Sequence, residues 1–158
     1  MSANHHMPVL TPVHTALHAL AGEWRGREIM HPSPWDPVGG PADAHIVNRV
    51  VVGGLGVAQD YTQTRNGVAS FFAHGLFRHD DSSGKYELHW VDSMGWPSKF
   101  TGALVDGVLT LTLQMPQGQM RATWDTRVPN QLSYRSEVSG DGAHWTPFME
   151  GQYTRCAS

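Results

Sequence analysis

Along most of the chain, large apolar residues recur at every second position. The alternation is plain in "LTLQM" (Leu111, Leu113, Met115), in "MRATW" (Met120, Ala122, Trp124) and in "LSYRS" (Leu132, Tyr134, Ser136). It is the pattern of strands that bury one face and wet the other. Only the beginning departs from it. "TPVHTALHALAGEW" spaces Val13, Leu17 and Leu20 as a helix does and places Gly22 where a C-cap would sit, which predicts a helix of about two turns. After that helix, turn sequences recur at intervals of about eight to twelve residues, the rhythm of an all-β protein. "RNGV" holds Asn66-Gly67, a pair suited to a tight hairpin turn, and "HDDSSGK", "VDGV", "MPQGQ" and "SGDGAH" punctuate later hairpins. Uninterrupted hairpins predict an antiparallel up-and-down meander of about ten strands, and closing it into a barrel removes the edges a flat sheet would expose.

The hairpin turns also assign faces. A turn at Asn66-Gly67 pairs Arg65 with Val68, so Tyr61 lies opposite Phe72, Gln59 opposite His74 and Val57 opposite Leu76. With a loop over 80–84, Phe72, His74 and Leu76 then meet Asp92, Trp90 and Leu88. This face carries the larger apolar and aromatic area and is expected inside. In the last strand Phe148 and Glu150 share a face, also expected inside. Among the inward apolar side chains, Gln59, His74, Asp92 and Glu150 are scattered polar groups, a mixture that suits a ligand pocket.

Composition narrows the function classes. The chain has 158 residues, 40% of them hydrophobic, and a net charge of −3; it is the size of one domain, expected over 11–158 after a flexible stretch at 1–10. Without a basic cluster it offers no footprint for nucleic acid or an anionic membrane surface. With neither a leader-like start nor a long apolar run, it is expected in the cytoplasm. Cys156, the single cysteine, has no partner for a disulfide.

The longest irregular stretch, "MHPSPWDPVGGPADA" (30–44), is dense in Pro and Gly. A loop of this length is usually functional or disordered, so it reads either as a mobile connection or as a lid closed by Trp35.

Two motifs carry a family resemblance: "WVDSM" (Trp90, Asp92, Ser93, Met94) and "MEGQYTR" (Met149, Glu150, Tyr153, Thr154, Arg155). With "LAGEWRG", "GLGVAQDY" and "GLFRHDD", they make the chain similar to a bacterial calycin-like domain family of unknown function. The resemblance implies a lipocalin-like barrel related to the nitrobindin and fatty-acid-binding groups. It also implies that Arg155 covers Trp24 of the "GEW" motif at a closed end. The haem-binding nitrobindin group uses a histidine near its last strands. Here His144 falls in the turn before the strand, so no cofactor is expected.

Ten histidines raise the question of metal. His14 and His18 share a helical face, but no Glu stands beside His14 as in H-E-x-x-H. His5 and His6 belong to the N-terminal tail, and no metal site is expected. The candidate lining is Trp35, Gln59, Tyr61, Phe72, His74, Leu88, Trp90, Asp92, Trp124, Tyr134 and Glu150. The expected function is binding of a small, largely apolar organic molecule. The alternatives are a cofactor-independent isomerase or cyclase using Asp92, His74 or Tyr61, and a ligand-free module that dimerises through a barrel face. Asp92 has a structural reading too, as a cap on the Ser93–Gly95 turn, and Glu150 as the partner of Arg25 or Arg27.

Overall fold

A computed structural model of the chain describes residues 7–157; His5 and His6, with the rest of 1–6, lie outside the described residues. Ten strands follow a short helical segment: β1 (Gly22–Met30), β2 (Gly40–Val51), β3 (Gly56–Arg65), β4 (Val68–Asp80), β5 (Lys85–Asp92), β6 (Ser98–Val105), β7 (Val108–Met115), β8 (Gly118–Asp125), β9 (Gln131–Ser139) and β10 (Thr146–Arg155). Each pairs antiparallel with its neighbours in sequence, and β1 also pairs with β10, closing the barrel. The expected up-and-down barrel is the observed fold. Asn66 and Gly67 both have positive φ, at 53° and 77°, as the tight turn requires.

The helical segment is tighter than its spacing predicts. One α-turn, α1 (Pro12–Thr15), passes directly into a 3-10 turn over Ala16–Leu20. Gly22 does not cap it; Ala21 does, and Gly22 opens β1. Consequently His14 and His18 do not act together: His14 bonds Asp81, while His18 bonds the carbonyl of Gly54. Leu17 and Leu20 plug one end of the barrel against Trp24, all three at most 3% exposed. Trp24 Nε1 and Asn48 Nδ2 both donate to the Leu20 carbonyl, at 3.0 and 2.8 Å. Arg155 stacks 4.3 Å above the Trp24 ring, the contact expected at the closed end.

Two irregularities overturn part of the face assignment. The β3–β4 register shifts so that Thr64 meets Ala69 but Gln63 meets Phe71, leaving Ser70 over as a bulge. Beyond it β4 turns Phe71, Ala73, Gly75 and Phe77 inward, whereas Phe72, His74 and Leu76 face out. An unbulged hairpin would drive His74 and Arg78 into the lumen and expel Phe77, which is 0% exposed; burying those polar groups costs far more than one irregular residue. The next turn pairs Asp80 with Lys85. This second one-residue offset cancels the first, so Leu88, Trp90 and Asp92 still face inward. In β10 the register shifts between Pro147 and Met149, at a proline that has no N–H to give the ladder. Met149, Gly151 and Tyr153 take the inner face, and Glu150 points outward to His31 rather than to an arginine.

Candidate ligand site

The two ends of the barrel differ. Near the plug, the inward side chains Val57, Phe77, Leu88, Leu109 and Leu132 are closed from solvent. Toward the opposite end, the inward Met30, Phe71, Trp90, Asp92, Leu113, Met120, Tyr134 and Met149 are only half-buried. An apolar, aromatic lining that remains partly accessible marks this as the open end. Aromatic rings run along the wall. Phe77 contacts Trp124 and Trp124 contacts Tyr134, with centroids 5.3 and 5.1 Å apart; Tyr61 touches Phe71 and Trp90 at 6.0 and 6.3 Å.

A polar cluster lies between the closed core and the open lining. Glu28, on the inner face of β1, is 0% exposed. Its Oε1 accepts from Tyr61 Oη at 2.6 Å and from Gln63 Nε2 at 2.9 Å, and its Oε2 accepts from Tyr153 Oη at 2.5 Å. Three donors thus converge on a carboxylate that belongs to none of the ion pairs among the described residues. Burial, and then the Glu28 charge, push the phenols of Tyr61 and Tyr153 far above their usual range; both stay protonated donors at ordinary pH. Nearby, the buried Ser136 hydroxyl has no hydrogen-bond partner among the described residues.

Two glycines make room for this arrangement. A Cβ on Gly151 would fall on the Tyr153 phenol, and one on Gly75 would press against Trp90 and Leu88. Trp90 in turn explains its own strand. Its Nε1 donates to Asp92 Oδ2 at 3.1 Å, two residues along the same face, while Asp92 Oδ1 accepts from the Met94 N–H at 2.9 Å. Asp92 therefore holds both the indole and the β5–β6 turn.

The remaining sequence candidates scatter. Gln59 is buried at the closed end, where its amide donates to Asn48 at 3.0 Å and supports the plug. Leu88 and Trp124 belong to the core. His74 faces solvent and bonds Asp60 at 2.8 Å. With Phe72 and Val91 it lines a groove of about 320 Å³ on the outer wall, and with His89 and Lys99 an adjoining one of about 460 Å³. Trp35 is 60% exposed and packs edge-on against Phe148 at the rim. Its irregular segment spans only 31–39, since β2 already begins at Gly40, and an Asp36–Arg65 ion pair at 2.8 Å ties it to β3. Glu28, Gln63 and Tyr153 are site residues that the sequence did not single out as such, Tyr153 appearing there only as part of a motif. Alternation from the "GEW" tryptophan would have found the first: Trp24, Gly26, Glu28 and Met30 share one face.

One further cluster gathers potential metal ligands at the closed end: His14, His79 and Asp81. His14 Nδ1 accepts the Thr11 N–H at 3.1 Å, so its Nε2 carries the proton donated to Asp81 at 2.9 Å. A neutral imidazole so engaged has no lone pair left for a cation.

A closed antiparallel barrel, plugged at one end and with a buried carboxylate beneath a half-exposed aromatic lining, defines the class. The family described as protein of unknown function (DUF1579) matches residues 10–155, and the chain belongs to it. Among solved structures, the chain is similar to Rv2717c from M. tuberculosis, with 18% identity, a TM-score of 0.70 and coverage of 94% of this chain and 100% of that one. It is also similar to the S-type phycobiliprotein lyase CPES from Guillardia theta, with 10% identity, a TM-score of 0.61 and coverage of 96% and 99%. At these identities the likeness shows the fold. No curated protein gives a significant match. Among the described residues no helix is long and apolar enough to cross a membrane.

Proposed function

We propose that the barrel binds a small, largely apolar organic molecule through its open end, against Phe71, Trp90, Leu113, Met120 and Tyr134, with the Glu28 cluster below. The observation that carries this reading is Tyr134. Burial pushes its phenol up to about 12, yet the residue is only half-buried. A side chain that is both deep and accessible lines an internal space rather than a solid core. Similarity to a lyase named for a phycobiliprotein is in keeping with a barrel that accepts a small molecule.

The test uses N-phenyl-1-naphthylamine, a neutral fluorophore that brightens in apolar surroundings. Saturable enhancement with energy transfer from tryptophan, weakened by Trp90→Ala, is the expected result. A folded protein that gives neither effect would lack the open cavity.

A second reading, a cofactor-independent enzyme, is favoured by the Tyr61–Glu28–Tyr153 cluster, which offers a carboxylate and two phenols to a bound molecule. Of the catalytic candidates, Tyr61 fits this reading best. His74 is on the outer wall, and Asp92 is already engaged by Trp90 and Met94.

A further inference from the structure

The charges of the barrel are unevenly divided between its two faces. The inward positions at and above the cluster level carry two carboxylates, Glu28 and Asp92; the one cation there among the described residues is Arg65, which follows Tyr61 and Gln63 at the rim of β3 and is paired with Asp36 at 2.8 Å, while Arg155, also on the inner register, lies at the closed end over Trp24. The other strand cations lie outside, where Arg27, Arg49, Lys99, Arg121 and Arg135 pair with Asp43, Asp60, Glu87 and Glu137. Among the described residues neither Glu28 nor Asp92 joins an ion pair. Both are held by neutral donors instead: phenols and an amide for Glu28, an indole and a backbone N–H for Asp92. Neutral donors stabilise a carboxylate without cancelling its field, and low-dielectric walls focus that field into the space between. The rings of Tyr61, Phe71 and Trp90 add faces that attract a cation.

Resting on the binding function above, we propose that the lumen selects apolar molecules carrying a protonated amine and disfavours apolar carboxylates. The positive group is drawn between Glu28 and Asp92, and the hydrocarbon body lies against Phe71, Trp90, Leu113 and Met120. An anionic head would meet two carboxylates, and the rim cation Arg65 is already paired with Asp36.

The experiment compares three probes of one shape, 1-naphthylmethylamine, 1-naphthylmethanol and 1-naphthoate, by titration calorimetry at pH 7. The amine is expected to bind at least tenfold tighter than the alcohol, and naphthoate weakest. Asp92→Asn and Glu28→Gln should each narrow the gap between amine and alcohol. Because the wild-type series alone decides the order, a variant that fails to fold costs the test nothing. An amine no tighter than the alcohol, or naphthoate as the tightest ligand, overturns the amine selectivity and leaves the binding site standing. Failure of all three, together with N-phenyl-1-naphthylamine, overturns the binding site itself and the selectivity with it.

Discussion

The hydroxyl of Tyr153 donates to Glu28 across Gly151, joining residues 125 apart in the chain. Gly151 is the sheet partner of Glu28, and its missing side chain is the space the phenol crosses.

Gly151→Ala should therefore displace Tyr153 from Glu28 and cost about 2–3 kcal/mol, combining overpacking with a broken hydrogen bond. Tyr153→Phe, which removes only the bond, should cost about 1–2 kcal/mol. Urea denaturation of both variants checks the order; an alanine no worse than the phenylalanine would mean that close approach is not what demands the glycine.

Removing the acceptor is a harsher change than removing one donor. Glu28→Leu strands Tyr61, Gln63 and Tyr153 in an apolar interior, and a loss of about 3 kcal/mol or more is expected from the unpaired donors. Thermal melts would read this as a drop of roughly ten degrees or more.

The tyrosines supply a pH dependence. All four phenols are raised: Tyr61, Tyr134 and Tyr153 most, with burial the first cause in each, and Tyr86 less, also by burial. A phenol whose folded pKa lies above its unfolded value contributes stability that is full below about pH 10 and is lost as pH rises toward its folded pKa. Absorbance at the tyrosinate band should show no step near pH 10 in the native protein. Ionisation should instead arrive together with alkaline unfolding, and a native tyrosine titrating normally at pH 10 would contradict the burial.

The bulge at Ser70 is open to a direct mutational check. Phe77→Ala empties a fully buried site and should cost about 3–5 kcal/mol, whereas Phe72→Ala, at a residue 50% exposed, should cost under about 1 kcal/mol. The regular hairpin predicts the reverse order.

Asp92→Asn should keep the fold but loosen the rim. One amide oxygen can serve either the Trp90 indole or the Met94 N–H, not both, so a loss of about 1–2 kcal/mol is expected. A shift in Trp90 emission would accompany it. Unfolding at ordinary temperature would instead mean that the whole β5–β6 turn hangs on this carboxylate.

The sequence by itself determined the class of fold. Alternation in β3, β5, β7, β8 and β9 is local, and turn pairs such as Asn66-Gly67 carry their own φ requirement, so strands, hairpins and closure could be read without a neighbour in view. Trp90 and Asp92 were legible for the same reason: two residues apart on one strand is a fact of the pleat. What only the tertiary structure decided was which side of β4 and β10 faces in. A bulge is set not by the strand that carries it but by what the rest of the barrel will bury, here Phe77 in preference to Arg78 and Tyr153 in preference to Glu150. The Glu28 cluster was hidden for a related reason. Its members come from β1, β3 and β10, and the stagger of a closed barrel, not any spacing along the chain, brings Tyr61, Gln63 and Tyr153 to one carboxylate.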